Sequence, residues 1–172
     1  AQVVFRSGDG GQSWQTIRPD LSGADPAATD CTDAPRDQAT ACGYGAVFSI
    51  TPSPLQDGLI WAGTNNGRVF MTDNGGEHWD NVTPAGLEDW SRVNLIDASA
   101  VDTHTAYLAV DRHRLNDFNP RAYVTHDSGK SWREIGHSLP AGAYVNVVRQ
   151  DPQQAGLLYA GTENSLYMSF DD

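Results

Sequence analysis

The segment DRHRLNDFNPR, residues 111–121, gathers Asp111, Arg112, His113, Arg114 and Asp117 into one short polar run. Arginine presents a planar fork that grips carboxylate or sulfate through paired hydrogen bonds and also serves sugar hydroxyls, so the run suits an oxygen-rich ligand. A second run, PAGLEDWSR at 84–92, places Trp90 between Glu88 and Arg92, an indole able to stack on a sugar ring or anchor a protein partner. Hydrolysis of a glycosidic bond needs two opposed carboxylates roughly 5 to 9.5 Å apart, one as acid and the other as nucleophile or base. Glu88, Asp89, Asp111, Asp117 and Glu163 supply carboxylates, and nothing in their spacing singles out a pair. The competing expectation is internal: Asp111 and Asp117 pair with the nearby arginines and order a long hairpin. Glu163, Asn164, Asn65 and Asn66 stand in shorter connections and read as turn residues.

A second set of acids recurs too regularly to be an active site. SGDGGQSW (7–14), TDNGGEHW (72–79) and THDSGKSW (125–132) repeat one pattern, and SFDD (169–172) begins a fourth copy. Each aligns a hydroxyl (Ser7, Thr72, Thr125), an acid or amide (Asp9, Asn74, Asp127, then Asp171), a glycine (Gly11, Gly76, Gly129) and a tryptophan (Trp14, Trp79, Trp132). A tight turn needs glycine where φ is positive. The carboxylate two residues earlier can accept turn N–H groups that would otherwise go unpaired, and the hydroxyl adds a further bond. The indole buries a large apolar surface. Catalysis is needed once and this group recurs in every unit, so it is read as a structural staple.

The copies recur at intervals of roughly 45 to 65 residues, the period of a propeller blade carrying insertions. Between them lie short β-rich runs such as AVFSITPSP, LIWAGTNN and GRVFMTD, then RVNLIDAS, TAYLAVD and RAYVTHD, then VNVVRQDP, GLLYAGTEN and SLYMSFDD. The expected fold is all-β: a partial β-propeller of four-stranded antiparallel blades, two complete and two partial, with the glycine hairpins between third and fourth strands. Residues 1–172 are read as a segment of a single propeller domain. In it 1–19 ends a blade, 20–44 is an inserted loop, 45–85 and 91–136 are blades, and 144–172 is an incomplete one. Propellers close with 4 to 8 blades, so the remaining blades, or another chain, are expected to cover the edges. The topology sends the insertions at 20–44, 84–92 and 111–121 to the face opposite the glycine hairpins, the expected binding face.

The repeated pattern resembles the Asp-box, Ser/Thr-x-Asp-x-Gly-x-x-Trp, of the bacterial-neuraminidase-repeat propellers. Two copies match fully, the second carries Asn74 for the acid, and the fourth stops after its acid. Longer stretches, among them SPLQDGLIWAGTNNGRVFMTDNGGEHWDNVTP and TAYLAVDRHRLNDFNPRAYVTHDSGKSW, resemble bacterial exported sortilin-like or glycosyl-hydrolase-like repeat proteins. The resemblance implies a propeller, and Asp-box propellers serve several functions. The first expectation is an exported binding or scaffold module with a loop-built face for a protein or carbohydrate ligand and no catalysis evident in this segment. The alternatives are part of a xyloglucanase-like glycoside hydrolase acting on polysaccharide, or an assembly factor docking a partner protein. Sialidase activity is not expected, because TIRPD at 16–20 is not the Phe-Arg-Ile-Pro motif of that family.

Composition narrows the partners further. The 172 residues carry 22 Asp and Glu against 11 Lys and Arg, a formal net charge of -11, with no basic cluster to meet a phosphate backbone, so nucleic acid is not expected. No apolar run has the length of a membrane span. The histidines show no metal-ligand spacing and no metal site is assigned, calcium among the acids of the 20–44 loop or near Asp171 staying open, and no cofactor is expected. Cys31 and Cys42 flank a Pro/Ala/Asp-rich stretch and are expected to form a local disulfide worth about 3 kcal/mol through loop closure. That pairing implies an oxidising setting: secreted, periplasmic or cell-surface.

Overall fold

The computed structural model describes residues 3–17, 19–23 and 45–172. Cys31 and Cys42, and with them the expected disulfide, lie outside the described residues. The strands form four antiparallel sheets in which sequence neighbours are also spatial neighbours. The first pairs β1 (Val4–Arg6) with β2 (Gln15–Ile17). The second is β3 (Val47–Pro52), β4 (Ile60–Thr64), β5 (Val69–Thr72) and β6 (Asp80–Asn81). The third is β7 (Arg92–Ala98), β8 (Ala106–Arg112), β9 (Asp117–Thr125) and β10 (Arg133–Glu134). The fourth holds β11 (Val145–Gln150), β12 (Leu158–Thr162) and β13 (Leu166–Ser169). These are propeller blades, and among the described residues the helical elements are short 3-10 turns at His113–Leu115 and Gly136–Ser138.

The innermost strand of each larger sheet carries an irregularity in its pairing at the same place, at Val47/Ser49, Val93/Leu95 and Val145/Val147. A bulge bends a strand and increases its twist, so each blade leaves its inner edge with the same local turn. The cores lie between sheets. Val4, Ile17, Leu21, Ala62 and Trp79 are buried between the first and second. Trp61, Val69, Val93, Ile96, Leu108 and Val110 fill the space between the second and third. Tyr107, Ala109, Val124, Val145, Val148 and Leu158 fill the next one. Strand β8 shows the logic: Ala106, Leu108 and Val110 face one neighbour while Tyr107 and Ala109 face the other. A strand covered on both faces is apolar at every position, and each fully buried Val or Leu contributes about 1.5–3 kcal/mol.

The repeated turns join β1 to β2, β5 to β6 and β9 to β10. In the last, Thr125 Oγ1 donates to Asp127 Oδ1 (2.8 Å) and accepts the Gly129 N–H (2.9 Å). Asp127 then accepts the Ser131 N–H on Oδ1 (2.8 Å) and the Ser131 hydroxyl on Oδ2 (2.6 Å). Ser7, Asp9, Gly11 and Ser13 repeat these bonds. In the middle turn Asn74 Oδ1 accepts the Thr72 hydroxyl (2.8 Å) and the His78 N–H (3.0 Å). His78 replaces the serine found at 13 and 131, so no hydroxyl calls on a second carboxylate oxygen and an amide suffices. Ser169 Oγ donates to Asp171 Oδ1 (2.8 Å) where the fourth copy begins.

Glycine in these turns does more than permit a positive φ. A Cβ on Gly76 (φ +93°) would sit 1.7 Å from Ile17 Cγ2, and one on Gly129 (φ +81°) 2.6 Å from Val82 Cβ, in each case a residue of the preceding unit. The tryptophans point the same way. Trp79 is buried with Val4 and Ile17, and Trp132 donates its indole N–H to the Val82 carbonyl (2.7 Å) while meeting Trp61 edge-on at 6.0 Å. Trp14, with no sheet before it among the described residues, is 63% exposed.

Trp132→Ala is expected to cost about 3 kcal/mol in urea denaturation, and Trp14→Ala under about 0.5 kcal/mol. The Ser131 hydroxyl and N–H, with the Thr125 hydroxyl, hold the Asp127 carboxyl down at about 2, against 3.8 ordinarily. A depressed carboxylate stabilises the fold above its unfolded value and loses that contribution as pH falls through the folded one. The urea midpoint of the wild type is therefore expected to fall more steeply between pH 4 and pH 2 than that of Asp127→Asn.

Candidate functional site

On the face opposite the glycine turns, Arg112 joins two connections. Its side chain is only 10% exposed, and its guanidinium is divided among several acceptors. Nε pairs with Asp117 Oδ2 (3.2 Å), Nη1 donates to Ser91 Oγ (2.7 Å) and the Asp89 carbonyl (3.4 Å), and Nη2 donates to Glu88 Oε2 (2.7 Å). The hairpin between β8 and β9 is thereby sewn to the 84–91 connection. Asp117 also takes Arg121 Nη2 on Oδ2 (2.9 Å) and the Asn119 backbone N–H (3.1 Å) and side-chain amide (2.8 Å) on Oδ1. Burial alone would raise the Asp117 carboxyl, but the Asn119 N–H and the Arg121 guanidinium outweigh it and hold the group below its ordinary value.

Asp111 forms a second centre behind the first. Its side chain is 1% exposed and pairs with Arg92, which stands directly opposite it in the β7–β8 register. The Arg92 guanidinium also lies 4.9 Å above the centre of the Phe48 ring. Asp111 Oδ1 accepts both the backbone N–H (2.8 Å) and Nδ1 (2.7 Å) of His113. A carboxylate on Nδ1 fixes the orientation of the imidazole. The His113 ring then stacks on Tyr144, centroids 4.7 Å apart at 24°, and Phe118 leans on Tyr144 at 6.5 Å. Arg114 is exposed and makes no ion pair among the described residues.

Trp90 has an unusual backbone, with φ +63°. That conformation costs a side-chain-bearing residue about 1–2 kcal/mol, and bulky residues seldom adopt it. The neighbours impose it. The Trp90 N–H donates to the Asn66 carbonyl (3.0 Å), and Asn66 Nδ2 donates to the Ser22 carbonyl (2.9 Å). Asp89, just before, is held by Arg68 (2.8 Å), and Ser91, just after, by Arg112. Trp90 is half-buried.

Of the residues expected at this site, Glu88, Trp90, Arg92, Asp111, Arg112, His113 and Asp117 are gathered by these bonds, and Arg114 stands at the hairpin tip. Both carboxylates of the hairpin pair with arginines, Asp111 across the sheet and Asp117 within its own hairpin. Glu163, Asn164 and Asn65 lie in turns: the Glu163 N–H donates to the Tyr144 carbonyl (3.2 Å), and Asn65 Oδ1 accepts the Ala46 N–H (2.6 Å). Sequence reasoning passed over Arg68, Arg121, Phe48, Phe118 and Tyr144. Arg68 had a usable signal, since it sits in a second-to-third-strand turn that the topology sends to this face.

No family model matches the chain. A xyloglucanase of a Paenibacillus sp is 30% identical over 146 residues, covering 77% of this chain and 14% of that protein. The chain thus spans about 14% of the length of the curated relative it matches. Among solved structures, an ancestral GH74 enzyme superposes with a TM-score of 0.66 at 18% identity over 99% of this chain and 20% of that one. The GH74 enzyme of Niastella koreensis gives 0.64 at 13% identity over 99% and 27%. YCF48 from Cyanidioschyzon merolae gives 0.53 at 19% identity over 74% and 34%. These are β-propellers, and at such identities the likeness concerns the fold.

Removing one partner of a buried ion pair strands the others, whereas an exposed pair contributes little. Arg112→Ala is therefore expected to cost about 3 kcal/mol in urea denaturation, with no rescue by Arg112→Lys, whose single ammonium cannot reach the same set of acceptors. Arg68→Ala, at a pair that solvent reaches, is expected to cost less than about 1 kcal/mol.

Proposed function

We propose that this chain is part of a propeller glycoside hydrolase that acts on an uncharged plant-type polysaccharide, and that the face around Arg112 helps bind the glycan. The observation carrying this reading is the 30% identity to a xyloglucanase across 77% of the chain. It favours the glycoside hydrolase over the non-catalytic scaffold expected first from sequence. The charge pattern of the face agrees: Arg68, Arg92, Arg112 and Arg121 are each matched by Glu88, Asp89, Asp111 or Asp117, and Arg114 at the hairpin tip is the one arginine there without an ion pair among the described residues. The Asp117 carboxyl is engaged by the Asn119 and Arg121 bonds that hold it below its ordinary value. We assign this segment a binding role.

Blades at 45–85 and 91–136, with partial ones at 1–19 and 144–172, form a segment of one larger propeller. Leu166, Met168 and Phe170 stand 60–70% exposed on and just after β13. Ala122 and Val124, the counterparts of Leu166 and Met168, are buried against the following sheet. A cavity of about 370 Å³ beside β13 is lined by Ile135, the counterpart of Val82, which holds Trp132 one blade earlier. The repeated turns act as Asp-boxes in this propeller. Its setting is secreted, periplasmic or cell-surface, where polysaccharide is met.

The complete protein is expected to release reducing ends from xyloglucan and to be retarded by xyloglucan in a native gel, with no response to polygalacturonate. Absence of both responses to every neutral glycan, with stoichiometric capture of a protein ligand instead, would return the scaffold reading.

A further inference from the structure

Trp90 is the one described residue in which a large aromatic side chain is held at positive φ; the other non-glycine cases are Asn116, Ser128 and Asp172. Glycine would meet the backbone requirement at that position without strain. The surrounding bonds do not relieve the conformation; they enforce it from both sides, through Asn66 on the Trp90 N–H, Arg68 on Asp89, and Arg112 on Ser91 and the Asp89 carbonyl. Nor does Trp90 belong to any of the buried clusters between the sheets, unlike Trp61 and Trp79. The residue is half-buried. Strain sustained by its surroundings, at a residue outside the clusters between the sheets, points to a use in what the side chain presents.

What surrounds it defines the ligand. Arg112 ties the Trp90 connection to the hairpin bearing His113 and Phe118, and those rings lean on Tyr144. Phe118 is 41% exposed. Phe118 thus displays aromatic surface on the hairpin that Arg112 ties to the Trp90 connection. A pyranose ring offers a flat face of C–H groups to an indole and hydroxyls to the flanking guanidinium and carboxylate groups. We infer that Trp90 is a glycan-stacking platform, locked in a strained backbone by the Asn66, Arg68 and Arg112 contacts so that its ring meets a pyranose unit of a neutral polysaccharide. This inference rests on the glycan-binding reading above and adds the residue and the device that fixes it.

A stacking platform and a packing residue respond oppositely to replacement by glycine. In Trp90→Gly, release of the strain is expected to keep the melting temperature or raise it by a few degrees, while affinity for xyloglucan in a native gel falls at least tenfold. Trp90→Phe, which keeps a ring and the strain, is expected to recover most of the affinity without the gain in melting temperature. Unchanged affinity in Trp90→Gly would overturn the platform and leave the glycan reading intact. A fall in melting temperature together with lost affinity in both variants would make Trp90 a packing residue and overturn it too. A wild type that binds no neutral glycan would sink the glycan reading itself, and the platform with it.

Discussion

A β-sheet blade cannot cover its own faces, and the structure rests on how each blade is seated against the one before it. The seat is narrow. At Gly76 and Gly129 the turn backbone lies so near Ile17 and Val82 that no side chain fits between, and in the same turns Trp79 and Trp132 reach back to the same unit. The hydroxyl and carboxylate of each turn satisfy its N–H groups internally, so the hairpin arrives at the seat as a preformed body. The polar residues of the repeat therefore act indirectly, by fixing the shape with which glycine and tryptophan dock.

That seating sets what the opposite face can do. With the third-to-fourth-strand turns committed to packing, the connections at the other end are free to vary in length. They are held by charge instead of apolar contact. Arg112 links two connections through the Asp117, Glu88 and Ser91 side chains and the Asp89 carbonyl, and Arg92 lies between Phe48 and the buried Asp111. Guanidinium groups suit this task because one planar group can address several acceptors in different directions. The result is a rigid frame on which aromatic rings are mounted at the edges.

Much of this order can be read from the sequence, for physical reasons. The turn pattern is legible because a positive φ, a capped N–H and a buried indole each demand a particular residue type at a fixed offset. Strands covered on one face follow from period-two alternation, whereas the central β8, covered on both faces, reads as a continuous apolar run. The convergence of 84–92 and 111–121 is a consequence of topology. What sequence leaves open is the choice of partner. Asp111 has arginines on its own hairpin yet pairs with Arg92, because the β7–β8 register puts those two side by side. Asn74 reads as a departure until the loss of the serine four residues later shows why an amide serves. The backbone of Trp90 has no signature at all, since the contacts that impose it come from residues 66, 68 and 112.

The pairing of the arginines has a kinetic side. A face that clustered unmatched cations on a chain of net charge -11 would draw anionic polymers through a long-range field, and added salt would slow that encounter. Here Arg68, Arg92, Arg112 and Arg121 are each met by a carboxylate within the frame, which shortens the range of their field. Under the proposed glycan-binding role, association with a neutral polymer depends on diffusion and shape, at a pace nearly indifferent to ionic strength.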